Sequence, residues 1–175
     1  MRIRLAVKDD LLSLLDLVRR VVPLMRATGN LQWDDEYPNA EVFSRDIQQG
    51  QLWIAEIDRN DSTDSGLAGV AAITTDQEPE YAQVGWDLNE EAVVIHRLAV
   101  DPAARGMGVA SALMRQAEVV AEQGGISVLR IDTSIFNDAT RRLFPRLGYS
   151  LAGEITLGFR PGLRFLCYEK RLTQE

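Results

Sequence analysis

The chain has 175 residues, 46% hydrophobic and 26% charged, ordinary globular values that exclude bulk disorder; its single cysteine, Cys167, excludes an intrachain disulfide. One domain of this size can bury roughly 70% of its unfolded surface, and no stretch approaches the ~18 consecutive apolar residues of a membrane span. The net charge of −7 is uneven: residues 1–100 hold 9 Lys/Arg against 18 Asp/Glu, and residues 101–175 hold 10 against 8. An acidic first half argues against nucleic acid, where affinity comes from neutralising phosphates. It suits a cationic small molecule, or solubility alone. The N-terminus lacks the apolar core and cleavage site of a secretory signal, and there is no Cys/His cluster for zinc. A cytoplasmic protein with no metal and no membrane partner is expected.

In chain order, Ile3 and Leu5 alternate as a short strand. Asp9 or Asp10 then caps a helix whose apolar face is Leu11, Leu12, Leu14, Leu15, Val18, Val21 and Val22, with Pro23 as a kink or end. Residues 28–38 form an acidic, aromatic loop, and a short helix follows from about Ala40 to Gln48. Leu52–Ile57 and Leu67–Thr74 read as a hairpin pair around a polar turn at residues 58–65. A second polar loop, residues 76–91, precedes a strand over residues 92–100. Beyond residue 100 strand and helix alternate. A helix over residues 108–123 stops at Gly124-Gly125, then come a strand at 126–132, a helix at 137–146, and strands at 149–155 and 163–171. No linker divides the chain, so one domain over residues 1–175 is expected, a mixed α/β fold with an antiparallel front and a βαβ centre.

The chemistry concentrates where the strand ending in Leu98-Ala99-Val100 feeds Asp101-Pro102-Ala103-Ala104 and then Arg105-Gly106-Met107-Gly108-Val109-Ala110-Ser111. Glycines admit a ligand close to the backbone, and the free N–H groups and dipole of a helix start favour a phosphate or pyrophosphate. Arg105 adds a permanent forked charge. A dinucleotide fingerprint would need its first glycine at the strand end and Gly or Ala where Ser111 stands, although Asp132 sits where the ribose acid would. A phosphate loop of the GxxxxGK type is absent, because no lysine lies between residues 9 and 169.

Arg105-Gly106-Met107-Gly108-Val109-Ala110, preceded by Leu98-Ala99-Val100-Asp101-Pro102, resembles the acetyl-CoA signature of the GNAT superfamily of N-acetyltransferases. Asn137, Leu143, Gly148 and Tyr149 resemble a second block of that family. The resemblance implies a GNAT fold, a central twisted mixed sheet of about 6–7 strands flanked by about 4 helices, with a splayed parallel pair at the cofactor wedge. It implies acetyl transfer from acetyl-CoA to a primary amine of a small molecule or peptide by direct attack on the thioester. It further implies that Leu98, Ala99 and Val100 line the pantetheine, that N–H groups from Arg105 to Ala110 hold the pyrophosphate with help from Ser111, and that Asn137 bonds the pantetheine arm. Homodimerisation is a habit of the family that no residue here addresses.

The chain departs from the family at two points. The position of the usual tyrosine acid is Phe144, which leaves Tyr149, Tyr168, water or an unassisted thiolate. Valines 93 and 94 stand where many relatives carry a glutamate base. His96, the only histidine, falls by strand alternation on the face of Leu98 and Val100, and is either the base or a structural histidine. Asp87, Glu90 and Glu91 are alternatives acting through water, or are simply solvated. Trp33, Tyr37, Tyr81 and Trp86, with the carboxylates Asp34, Asp35 and Glu36, are the candidate acceptor-site residues, with loop packing as the other reading for the aromatics. Cys167 reads as a packed strand residue rather than a nucleophile. The departures also leave open a non-catalytic acyl-CoA-binding or sensing module.

Overall fold

The computed structural model describes residues 1–57 and 66–173; the expected turn at residues 58–65 lies outside them. Seven strands form one sheet in the order β1-β2-β3-β4-β5-β7-β6. They are β1 (Arg2–Leu5), β2 (Leu52–Glu56), β3 (Leu67–Thr74), β4 (Val93–Val100), β5 (Val128–Ser134), β6 (Ser150–Thr156) and β7 (Arg164–Arg171). Four helices accompany them: α1 (Leu11–Ala27), α2 (Ala40–Gln48), α3 (Val109–Gly124) and α4 (Asp138–Arg146). Only β4 and β5 run parallel. No helix among the described residues is long and apolar enough to cross a membrane.

Expected and observed elements differ in two places. α1 does not end at Pro23 but continues to Ala27. Proline removes one helical N–H bond, and burial of Val21 and Val22 beside it holds the helix through that defect. The loop over residues 76–91 contains a 3₁₀ helix, Pro79–Val84, with proline at its first position.

β3 is buried at all eight positions, because helices cover both faces of the sheet there. Ala68, Ala71 and Ile73 pack with α3 in one cluster, while Leu67, Val70 and Ala72 pack with α1 and α2 in another. Gly69 lets α3 approach. A Cβ there would come within 2.6 Å of Val109 Cγ1 and 2.9 Å of the Ala99 carbonyl oxygen. Gly69→Ala is therefore expected to cost about 1–3 kcal/mol by overpacking. Because Val109 opens the helix of the glycine loop, the same change is expected to weaken coenzyme A binding; thermal unfolding and a CoA titration would read both effects.

The middle of β4 is irregular. Ala72 pairs His96 and Val70 pairs Ala99, so β4 takes three steps where β3 takes two. This is a β-bulge, and Arg97 sits in it at φ 54°, the left-handed region that a non-glycine residue occupies at a cost of about 1–2 kcal/mol. Its guanidinium is held from two sides: Nε donates to Asp46 of α2 at 2.7 Å, and Nη1 to the Tyr37 hydroxyl at 3.2 Å.

Candidate active site

β4 and β5 pair at only three positions, Val93 to Ile95 with Leu129 to Ile131. Beyond these β4 stays with β3 as far as Val100, and β5 stays with β7 as far as Ser134. The two parallel strands part, and His96 and Asp132 are the first residues past the split. A cavity of about 910 Å³ runs through this opening.

One end of the cavity is the glycine loop. Gly106 and Gly108 have φ of 79° and 77°, and a Cβ built on either would meet nothing within 4 Å. Gly108 is the N-cap of α3, and the first bond inside that helix runs from the Ala112 N–H to the Gly108 carbonyl. The N–H groups of Val109, Ala110 and Ser111 thus have no helical acceptor and point out of the helix start. Arg105 and Met107 spend their N–H groups inside the loop, on the carbonyls of Pro102 and Ala104. Arg142 and Arg146 of α4 join Arg105 in the wall, which makes this end cationic. Open N–H groups, a helix dipole and three arginines fit the diphosphate of coenzyme A.

Between the two ends, Leu98, Val100, Ile131, Thr133, Asn137 and Phe144 supply a mostly apolar lining. The Asn137 side-chain oxygen caps α4 by accepting from the Thr140 N–H at 3.3 Å. The Thr140 hydroxyl lies 2.8 Å from that of Thr133, which ties α4 to β5.

The far end has a different character. Trp33, Tyr37, Leu157 and Phe159 supply apolar walls, and Glu78 and Asp132 supply carboxylates. The Tyr81 hydroxyl donates to Asp132 Oδ2 at 2.7 Å. Burial pushes the Asp132 carboxyl up to about 6, against the pull of that hydrogen bond. Burial and the neighbouring Asp132 raise Glu78 as well. The roof is tied down by Arg160, which bonds Asp34 at 2.7 Å and stacks over the Tyr37 ring at 5.1 Å.

The sequence pattern of the acetyltransferase (GNAT) family matches residues 18–149. The chain belongs to that family. It is 24% identical over 172 residues to the uncharacterized N-acetyltransferase YesJ of Bacillus subtilis (strain 168), covering 97% of this chain and 89% of YesJ. A GNAT-family acetyltransferase of Streptococcus agalactiae 2603 superposes with a TM-score of 0.81 at 26% identity, over 99% of this chain and 96% of that one. YncA of Salmonella typhimurium, solved with its cofactor acetyl-CoA, shares the fold at a TM-score of 0.68 and 18% identity, over 99% and 95% of the two chains.

In this GNAT chain most of the residues expected at the cofactor line the same cavity. Leu98, Ala99, Val100, Arg105, Gly106, Gly108, Val109, Ala110, Ser111, Asn137 and Phe144 all line the cavity. Met107 does not; its side chain is exposed. Among the aromatics, Trp33 and Tyr37 line the far end, but Trp86 lies outside. It packs edge-on against Tyr81 at 5.1 Å and under the Arg130 guanidinium at 4.7 Å. Tyr149 and Tyr168 are also off the cavity, buried around Phe144, and the Tyr149 hydroxyl has no hydrogen-bond partner among the described residues. Cys167 is buried on β7, and burial pushes its thiol up, so it is a packed residue.

His96 lines the cavity, but alternation fails across the bulge. Leu98 and Val100 pack with the cluster of Val93 and Ile95, so the extra residue at Arg97 puts His96 out of step with them. Its Nε2 lies 3.1 Å from the Asp76 carbonyl and must donate to it. Burial and the adjacent Arg97 push the ring down to about 4, which keeps it neutral. Among the alternative loop acids, Glu90 pairs Arg130 and Arg171, and the Asp87 carbonyl accepts from Arg130. Of the acids at the far end, Glu78 escaped sequence reasoning, and Asp132 entered it only as the ribose acid of a dinucleotide site. For Asp132 the available signal was a carboxylate at the end of an otherwise apolar strand.

Proposed function

We propose that the chain transfers acetyl from acetyl-CoA to a primary amine of a small molecule or peptide, by direct attack of the amine on the thioester. The observation that carries this reading is the single cavity through the β4–β5 split, which joins a diphosphate cradle at one end to two carboxylates at the other. A thioester held between the two ends would meet an ammonium drawn to Glu78 and Asp132, and holding both reactants in line removes much of the entropic barrier. Trp33, Tyr37 and Phe159 favour an amine carried on an apolar body. A nucleic acid would meet like charge at this end, which favours the small-molecule or peptide acceptor.

The second reading, an acyl-CoA-binding module without turnover, is favoured by Phe144 and by the absence of Tyr149 and Tyr168 from the cavity wall. Thiol release from acetyl-CoA over a mixed amine panel decides between them. The enzyme reading expects release that depends on one or more amines and a matching acetylated product. Tight acetyl-CoA binding with no amine-dependent release would overturn it in favour of the module.

A further inference from the structure

Asp132 is the first residue of β5 beyond its last pairing with β4, at the point where the two parallel strands part. It lines the acceptor end of the cavity, and only its Oδ2 is engaged, by the Tyr81 hydroxyl. Its other oxygen accepts no hydrogen bond from the described residues. Tyr81 is itself fully buried, and its 3₁₀ helix is sewn to the neighbouring strand. Gln83 exchanges two bonds with Thr156, each 3.1 Å, and Glu80 accepts from the Gly158 N–H at 2.8 Å. The carboxylate is thus aimed by a rigid support.

We propose that Asp132 is the catalytic base of the transfer and Tyr81 the residue that positions it. The proposal rests on the acyl-transfer reading above. Asp132 takes one proton from the acceptor ammonium, and the freed nitrogen pair forms the C–N bond at the thioester carbonyl carbon. The C–S bond then breaks with its electron pair on sulfur. The second N–H proton leaves as the intermediate collapses and goes to the thiolate, giving the amide and the CoA thiol, and Asp132 returns its proton to water.

His96 is the rival base across the split, with Nδ1 as its proton-accepting nitrogen, and its surroundings work against that role. Its Nε2 is committed to the Asp76 carbonyl, and the ring is pushed down to about 4 where Asp132 is pushed up to about 6. Both shifts run in favour of Asp132 as the group that holds a proton. The groups around Asp132 leave this ordering in place. Tyr81 lowers it, and its strand partner Cys167 stays a neutral thiol. Glu78 adds negative charge at the same end of the cavity, and Arg97 of β4 is neutralised by Asp46.

The test is the pH dependence of kcat/KM for wild type, Asp132→Asn, Tyr81→Phe and His96→Ala. Phenethylamine and its β,β-difluoro analogue, a far weaker base, serve as acceptors, and carbon-13 NMR follows the aspartate carboxyls without any ligand. Wild type is expected to gain activity as pH rises through about 6, with one aspartate titrating in step. Asp132→Asn should remove that resonance and the limb and lower kcat/KM for phenethylamine by roughly a hundredfold to a thousandfold, but less than tenfold for the difluoro amine, which needs no base. Tyr81→Phe should keep the limb and move it upward, because the lost hydrogen bond held the acid's affinity for protons down. His96→Ala should leave the limb in place. An Asp132→Asn enzyme with wild-type kcat/KM and limb, or no aspartate titrating above about pH 5, would overturn the assignment while leaving acyl transfer intact. No transfer by wild type to any amine would overturn the acyl-transfer reading, and the assignment with it.

Discussion

Gly108→Glu is expected to weaken acetyl-CoA binding by about a thousandfold while leaving the chain folded. Gly108 caps α3 at φ 77°, and the space on its Cβ side is open. A side chain there projects into the cavity at the helix start, where the free N–H groups point. A carboxylate about 4 Å from a phosphate, at the effective dielectric of a protein surface, repels it by about 4 kcal/mol. That corresponds to roughly a factor of a thousand in Kd. The fold loses much less. The left-handed conformation costs about 1–2 kcal/mol, and a negative charge at a helix N-terminus returns up to about 1 kcal/mol of it. Calorimetric titration reads the affinity, with Gly108→Ala separating strain from charge through a loss of about tenfold or less. Thermal unfolding with acetyl-CoA at 100 times its wild-type Kd should show about 2.7 kcal/mol of stabilisation in wild type and none in the glutamate variant. A Gly108→Glu protein that binds acetyl-CoA within threefold of wild type would remove this loop from the diphosphate site.

Arg130→Met should produce the largest loss of stability. Arg130 is wholly buried on β5 and holds four oxygens of the loop and sheet around it. It donates to Glu169 at 3.0 Å, to Glu90 at 2.9 Å, to the Asp87 carbonyl at 3.1 Å and to the Gln77 side chain, and Trp86 stacks on its face. Methionine matches much of the volume but none of the donors. Removing one partner of a buried ion network costs about 3–5 kcal/mol, and retention of Arg171 by Glu90 and Glu169 sets the expectation near the lower figure. For a chain of this length that is a fall in Tm of roughly 6–12 °C. Activity should fall too, because the freed segment carries Glu78 and Tyr81. Arg130→Lys should recover little, since one ammonium cannot span a fork of four acceptors. A Tm within 2 °C of wild type would mean that the loop is held by something other than this arginine.

The donor end was legible in the sequence because its causes are local. Two glycines between a strand and an amphipathic helix dictate a tight turn and a helix start, and the anion site is made of that turn's own backbone. The length and order of the strands were legible for the same reason, since periodicity and turn residues act over a few positions. The acceptor end had no such signature. Arg97 distorts β4 because Asp46 and Tyr37, 51 and 60 residues away in sequence, hold its guanidinium. The extra residue then reverses the alternation on which the placing of His96 depended.

Trp86 read as a ligand aromatic, and Tyr149 and Tyr168 as acids. Arg130 draws Trp86 away from the cavity, and the core around Phe144 takes both tyrosines, through ring packing at 6.1 Å and 5.3 Å. Asp132 gave the opposite error. In sequence it was one acid at a strand end; in the fold it is the residue at which β4 and β5 separate, with a buried tyrosine on one oxygen. The sequence by itself therefore determined the glycine turn and helix start, the fold family and the run of elements, each carried by contacts within a few residues. Only the tertiary structure decided which side chains line the cavity at the strand split, because a bulge, a strand parting and a buried arginine all depend on partners far away along the chain.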